Sequence, residues 1–476
     1  MSLLQPNPVA RVALLGERPG MALPRTDCVA RTWLCVAVLL LADFAALTFA
    51  AAVSIVAWPH FGIPFSPELY VRLWPVLCLF PLAFAASGLY PGFGRNPAEE
   101  LRRLTIASSL VYPALAVTIF LLKDAESYSR GVFVMAWAQT LLYVPLLRAL
   151  ARSACARKPW WGYPIVVVGA PAAASRIMET LAGQPQLGLK PVAAFERPEP
   201  AIALAREREI RHVIFAMAGA SPRAARDFFD RCSDLFANII VIPDMAGFSS
   251  LWVEARDLNG MLGLGVHQRL LLPGPRFMKR SLDLFLAAVF GILALPVLGI
   301  IALLIKATSP GPVFYGQVRR GQGGAPFVAW KFRSMFRNSS QLLERCLHSD
   351  AGLRDEWRRT RKLRRDPRIT PLGRFLRRTS LDELPQVWNI ALGQMSFIGP
   401  RPIVTDEIPR YGEGFALYGK VTPGLSGLWQ VSGRNNLSYE QRVTLDLYYV
   451  RNWSIWLDIY ILARTVKVVV LGDGAY

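Results

Sequence analysis

Histidine is scarce in this chain: His60, His212, His267 and His348 are the four in 476 residues, and each stands alone. That leaves little material for a histidine metal site or a Ser-His-Asp triad. Cysteine adds nothing to it. Cys28, Cys35, Cys78, Cys155, Cys232 and Cys346 form no C-x-x-C pair and no zinc spacing, so they read as reduced structural thiols. Acidic residues are also short, 34 Asp and Glu against 54 Lys and Arg, for a net charge of +20. A surplus of that size suits anionic partners: nucleic acid, lipid headgroups or a phosphorylated substrate. Two fingerprints are missing as well. After the aliphatic run Ile165 to Val168 a dinucleotide site would want G-x-G-x-x-G, but the chain reads Gly169-Ala170-Pro171-Ala172-Ala173-Ala174. No Tyr-x-x-x-Lys occurs anywhere. Both absences count against a membrane-anchored nucleotide-sugar dehydratase or epimerase, the main alternative enzyme for a chain that joins apolar helices to a βαβ pattern. Finally, Arg11, Arg18, Arg25 and Arg31 are not followed by a short apolar core and small-residue cleavage site. The expectation is therefore a retained cytoplasmic tail over residues 1–31 rather than a signal peptide.

What is present in abundance is apolar sequence, 53% of the chain with 13 Trp. The length suggests two or three units. A membrane span needs ~20 apolar residues, and Trp33 to Trp58, Leu69 to Leu89, Leu104 to Leu122 and Val132 to Leu150 all qualify. They define a four-helix transmembrane bundle over 32–155. Arg95, Arg102 and Arg103, then Arg152, Arg157 and Lys158, lie in loops that the positive-inside rule puts in the cytoplasm, whereas loop 59–68 carries no Lys or Arg. Both termini are thus expected inside. Asp43, the sole acid of the first span, reads as a helix-packing partner with nothing else polar converging on it. Over 160–270, short runs at Ile165 to Val168, Val192 to Phe195, His212 to Ala216 and Asn238 to Ile242 alternate with helical stretches, a degenerate Rossmann-like α/β domain with a structural or oligomeric role. A Gly- and Pro-containing linker over 246–276 follows. Leu284 to Ile305 is again long enough to span, but Lys279 and Arg280 before it and Lys306, Arg319 and Arg320 after it suggest that both ends stay on one side, and Pro296 sits at its centre. A re-entrant helix-break-helix and a kinked fifth span both fit. Between Arg354 and Arg378 eleven basic residues face three acids, a surface for phosphates; beside a membrane segment, lipid is favoured over nucleic acid. Trp453 to Val470 has the composition of an interfacial amphipathic helix, and equally of a core helix.

The stretch Ser380-Leu381-Asp382-Glu383-Leu384-Pro385-Gln386 sets two carboxylates side by side among arginines. With Ser380 as an N-cap, Asp382 and Glu383 fill a first helical turn and point about 100° apart, so they can hold different jobs. The same residues also spell an S-x-x-E capping box with no chemistry at all. Their surroundings decide: Phe327-Val328-Ala329-Trp330-Lys331-Phe332-Arg333-Ser334-Met335, Asp366-Pro367-Arg368-Ile369-Thr370-Pro371-Leu372-Gly373, Ser396-Phe397-Ile398-Gly399-Pro400-Arg401-Pro402 and Thr422-Pro423-Gly424-Leu425-Ser426-Gly427. In that order and spacing, from about Lys279 onward, they resemble the catalytic domain of the bacterial polyprenyl-phosphate sugar-1-phosphate transferases, the monotopic phosphoglycosyl transferases. The four helices and α/β domain in front resemble the long, galactose-transferring members.

The resemblance implies an α-rich catalytic domain over 277–476 with a re-entrant membrane helix over 281–307, broken at Pro296; Leu295 stands before it where relatives commonly have Ser. It implies that Asp382 attacks the β-phosphate of a UDP-sugar, UDP-galactose by architecture, releases UMP and carries a covalent phospho-sugar to undecaprenyl phosphate. Glu383 would bind Mg²⁺. Lys331, Arg333 and Arg401 are the candidates for phosphate contacts. The expected setting is the bacterial inner membrane, catalytic domain on the cytoplasmic face, initiating O-antigen, capsule or exopolysaccharide synthesis, as a homodimer and without nucleic acid. A non-catalytic membrane scaffold is the remaining alternative, and it makes Asp382 dispensable.

Overall fold

The computed structural model describes residues 28–61, 67–71, 73–121, 128–218, 228, 231–232, 235–243, 253–257, 262–266, 273–349, 352, 354–355, 363, 366–433 and 437–471. The N-terminal tail and most of the 246–276 linker and of the basic 354–365 stretch lie outside them. The chain divides into two units, Met1–Gly247 and Phe248–Tyr476.

In the first unit, helix α1 (Cys28–Ala57) packs along α4 (Arg130–Cys155), and α3 (Pro97–Leu121) packs on α4 and on the short α2 (Leu79–Ala86). Leu47, Phe84, Leu104, Val111 and Val144 meet between them, while Leu41, Leu110, Phe120 and Leu142 face outward. Apolar on both faces, three of these helices are long enough to cross a membrane. The second span differs from expectation. It is assembled from pieces, Pro67–Val71, the 3₁₀ turn Trp74–Cys78 and α2, because Pro75 and Pro81 interrupt the backbone hydrogen bonding of a single helix.

Asp43 is indeed a helix-packing partner, but polar groups do converge on it. Arg148 Nε and Nη2 each donate to its carboxylate at 2.6 Å, and the Tyr90 hydroxyl donates to the same group. Arg148 and Arg152 both reach Glu100 of α3, at 3.3 and 3.0 Å. Helix period alone cannot reveal this pair, 105 residues apart. Asp43→Ala leaves a buried guanidinium without its main partner, and we expect a loss of about 3 kcal/mol. Thermal unfolding in detergent reads it, with partial recovery when Arg148→Met is added.

The four expected strands are present as β1 (Tyr163–Gly169), β2 (Leu189–Phe195), β3 (His212–Ala216) and β4 (Asn238–Ile242), all parallel in the order β2-β1-β3-β4. Strand alternation sends Val166, Val168, Val213 and Phe215 to one face, under α6 (Pro198–Glu207), and Ile165, Val167 and Ile214 to the other, under α5 (Pro171–Ala182). Gly169, the surviving glycine of the broken fingerprint, serves the sheet itself. At φ +153° a Cβ there would lie 2.7 Å from the Ala216 side chain and carbonyl.

In the second unit β5 (Val253–Asp257) and β6 (Leu262–Val266) form an antiparallel pair, followed by the 36-residue helix α7 (Pro273–Thr308). The helix runs unbroken through Pro296, so the expected helix-break-helix is one helix with an internal proline. One face lies on the domain that follows. Near its start Lys279 donates to Asp458 at 2.8 Å and to the Ile398 carbonyl at 2.9 Å. Near its end Ile301 and Ile305 pack on Phe332 and Leu376. The opposite face, including Phe285, Leu293 and Leu303, is exposed and apolar. The domain itself mixes short helices with two small sheets that its α-rich expectation lacked: the hairpin β7 (Phe314–Arg320) and β8 (Pro326–Phe332), and the parallel pair β9 (Ser396–Ile398) and β10 (Gly424–Ser426). Helix α8 (Pro371–Arg378), a 3₁₀ turn at Leu381–Glu383 and α9 (Gln386–Ala391) lie between the two sheets in sequence, and α10 (Tyr439–Arg451) and α11 (Ile455–Leu471) close the chain. The start of α11 is core rather than interface: Trp453, Leu457, Asp458 and Ile461 are all buried, with Trp453 Nε1 donating to Asp458 at 2.9 Å.

Candidate active site

The hairpin builds one wall. In an antiparallel pair, directly opposed residues share a face and successive residues alternate, so Arg319, Ala329 and Lys331 point one way. They line a cleft with Glu383 and Gln386, with Arg401 and Pro402 after β9, and with Gly424, Leu425 and Gln430. A close approach of backbones shapes the floor: the Gly424 amide donates to the Pro400 carbonyl at 2.7 Å, and a Cβ on Gly424 would strike the Gly399 nitrogen at 2.1 Å.

The acidic pair does not open a helix. Ser380 takes a left-handed conformation, φ +58°, its side chain caps nothing, and Leu381–Glu383 form a single 3₁₀ turn. The capping-box reading therefore falls. The cap is upstream, where Thr370 Oγ1 accepts from the Gly373 amide at 2.9 Å and starts α8. The turn separates the two acids. Glu383 reaches the cleft and accepts from Lys331 Nζ at 2.5 Å. Asp382 is buried beside it, 9% exposed.

Their electrostatics diverge accordingly. Burial first, then the Glu383 charge next door, pushes the Asp382 carboxyl up to about 6, against the pull of Lys331 and Arg377. Burial acts on Glu383 the same way, but Lys331, Arg401 and Arg319 outweigh it and hold that carboxyl below its ordinary value. One carboxylate is thus poised near neutrality while its neighbour stays ionised. The cations lean on each other too. Burial, and then the nearby Arg401, depress the Arg319 guanidinium. Like charges sharing a cleft leave it in want of an anion.

Of the expected phosphate contacts, Lys331 and Arg401 are brought together and Arg333 is not. Arg333 is buried and donates to the carbonyls of Ser309 at 2.7 Å and Pro310 at 3.0 Å, tying the end of α7 to β8. On a strand, Lys331 and Arg333 are two residues apart, but β8 ends at Phe332 and Arg333 leaves the shared face. The missed residues are Arg319, Gln386, Tyr418 and Asn389. Arg319 looked like a membrane-flanking charge. The buried Tyr418 hydroxyl lies 3.0 Å from the Arg401 carbonyl and 3.3 Å from that of Arg320, sharing its proton between the two arginine-bearing segments. Asn389 Nδ2 donates to Val328 O at 2.7 Å and its Oδ1 accepts from the Trp330 amide at 3.1 Å, so α9 is fastened to the strand that carries Lys331. An Asn six residues after the acid pair was the available signal.

Basic side chains around a cleft, a buried carboxyl poised near neutrality and an apolar helix at the base define a membrane-associated enzyme that handles phosphate. Residues 274–472 match the family described as bacterial sugar transferase, and residues 85–243 match one described as a CoA-binding domain. The chain is 33% identical to the UDP-galactose-lipid carrier transferase of Erwinia amylovora, over 77% of this chain and 80% of that protein. It is 35% identical to the undecaprenyl-phosphate galactose phosphotransferase of Salmonella typhimurium, over 73% and 77%. It is 34% identical to the UDP-glucose:undecaprenyl-phosphate glucose-1-phosphate transferase of Escherichia coli, over 66% and 68%. The chain belongs to the bacterial sugar transferase family, and it is a transferase.

Proposed function

We propose that this protein transfers a hexose 1-phosphate, galactose 1-phosphate by its long architecture and by two relatives' names, from a UDP-sugar to undecaprenyl phosphate. UMP and an undecaprenyl-diphosphate-sugar are the products, the first lipid-linked sugar of an O-antigen, capsule or exopolysaccharide. The observation that carries this is the convergence of Lys331, Arg319 and Arg401 on a cleft beside a carboxyl pair whose proton affinities have been driven apart.

In the first step the Asp382 carboxylate attacks the β-phosphorus, the bond from that phosphorus to the bridging oxygen breaks, and the electron pair leaves with UMP. An oxygen of undecaprenyl phosphate then attacks the same phosphorus and frees the Asp382 carboxylate. Lys331, Arg319 and Arg401 offset the negative charge that three phosphates bring together; the arginines offer forks and the lysine a point charge. Among the described residues no three His, Cys, Asp or Glu gather as a metal cage. That suits Mg²⁺, which takes one or two carboxylates and completes its shell with substrate phosphates and water. Glu383, ionised and on the cleft, is the residue that would hold it. When bound, the ion would neutralise phosphate charge.

The setting follows from α7. A helix crossing the bilayer carries its two ends to opposite sides, yet both ends of α7 pack on the same domain. We therefore read α7 as re-entrant: the helix, unbroken in this structure, would bend at Pro296 in the bilayer, with the cleft on the cytoplasmic face beside soluble nucleotide-sugars. We also read the protein as a homodimer of the inner membrane that does not use nucleic acid.

The test is UMP release by purified protein from a panel of UDP-sugars with Mg²⁺ and undecaprenyl phosphate. Release from one preferred sugar, UDP-galactose, is the expected result. No UMP from any sugar overturns the proposal. In the same assay Arg333→Ala should lower the thermal midpoint while changing the KM for the UDP-sugar less than about twofold, since its hydrogen bonds are to backbone carbonyls. A large KM increase at unchanged stability would restore it to the phosphate site.

A further inference from the structure

The hairpin β7–β8 has a second face, opposite the cleft. Phe314, Gly316 and Val318 on β7 pair with Phe332, Trp330 and Val328 on β8, so these six share it. At one end Phe332 is buried and its partner Phe314 half-exposed. Phe332 stacks with Phe314, ring centroids 5.5 Å apart, and packs on Ile301 and Ile305 of α7. From there the same face runs out into the open without changing chemistry: Val318 is 62% exposed, and Val328 and Trp330 are exposed too. Along the edge of β8, α9 is fastened by Asn389 and turns Trp388 and Leu392 outward, while its Val387 side chain lies 3.7 Å from where a Cβ on Gly291 of α7 would stand. The exposed patch is thus continuous, through α9 and the end of the hairpin, with the exposed apolar side of α7.

A contiguous apolar surface of this kind, holding two tryptophans, is costly against water and favourable where hydrocarbon meets headgroups. We propose that the outer face of the β7–β8 hairpin, with Trp388 and Leu392, rests on the lipid surface and extends the membrane contact of α7 up to the wall of the active site. The occupant is lipid because the patch continues a face that is itself too apolar for water, and because Arg320, which strand alternation places on this same outer face, would meet anionic headgroups at its edge. One strand then does two things by alternation: Val328 and Trp330 touch lipid, while Ala329 and Lys331 line the cleft. A phosphate at the headgroup level would have only the thickness of this hairpin between itself and Lys331. The proposal rests on α7 being membrane-embedded, and the experiment keeps the two apart.

The full-length protein is reconstituted in bilayer nanodiscs with a polarity-sensitive fluorescent amino acid installed by codon suppression at Val318. Val328 is labelled as a second position, Leu293 on the outer face of α7 as the lipid reference, and the exposed Glu413 as the water reference. The expected result is blue-shifted emission at Val318 and Val328, quenched by brominated lipid as at Leu293 and spared by aqueous iodide. Water-like emission and iodide quenching at Val318 and Val328, as at Glu413, with Leu293 in lipid, overturns the hairpin proposal alone. Shielding from both quenchers means that protein covers the face, and overturns it equally. Water-like emission at Leu293 removes the membrane reading of α7, and the hairpin proposal with it.

Discussion

Asp382→Asn should abolish turnover, a fall of about 10³-fold or more as for other nucleophiles that act as part of a unit, while making the protein more stable. The two effects share one cause. The folded protein holds the Asp382 proton up to a pKa of about 6, above the ordinary 3.8. Such a raised acid supports the fold below pH 4, and that support is lost as pH rises through 4 to 6. At pH 7 the ionised carboxylate carries a penalty of about 3 kcal/mol, which the amide does not share. Thermal unfolding of wild type and variant at pH 7 and pH 4.5 measures it: the variant should gain at pH 7 and lose most of that advantage at pH 4.5. Activity runs in the opposite sense, because attack needs the ionised form, so wild-type turnover should climb through pH 6. A fully active Asp382→Asn would exclude the covalent route through this residue and point to another nucleophile. A variant that is inactive and no more stable would mean that the residue matters for some reason other than a strained, poised charge.

Glu383→Gln carries the second large effect, a loss of about 10²-fold in turnover together with a change in its dependence on pH and on Mg²⁺. The side chain does three things that an amide cannot. It offers the cleft an ionised oxygen ligand, it anchors Lys331 at 2.5 Å through opposite charge, and its charge raises the pKa of Asp382. Removing that charge lowers the Asp382 pKa, so the acidic limb of the pH–rate profile should move to lower pH even as the plateau falls. A plateau that falls with the limb unmoved would show that the two acids are not coupled. A Mg²⁺ dependence unchanged from wild type would show that the ion is held elsewhere.

Much of this could be read from residue order. Spans declare themselves by length and apolarity, since ~20 such residues have few other uses, and the four parallel strands are short aliphatic runs of the right period. The acid pair, Lys331 and Arg401 stand in motifs dense enough to mark a site. Chain-local rules failed wherever partners come from afar or an element ends. Asp43 looked solitary because Arg148 is 105 residues away. Ser380 looked like a cap because S-x-x-E carries no record of a left-handed φ. Arg333 looked like a twin of Lys331 because the sequence does not say that β8 stops between them. Arg319 was counted as a membrane-flanking charge because its place in the cleft depends on the β7–β8 register.

The sequence by itself determined the family, the order of the parts and the chemical types at the site, because those rest on local pattern: apolar length, strand period, and carboxylates among cations at fixed spacing. Tertiary structure alone decided which acid is buried and which meets Lys331, which arginines share the cleft, and that both ends of α7 lie on one domain. Those are matters of burial and of contact between distant segments. A proton affinity near 6 on Asp382 and a cleft that wants an anion exist only once the folded chain has removed water from one carboxyl and crowded cations around the other.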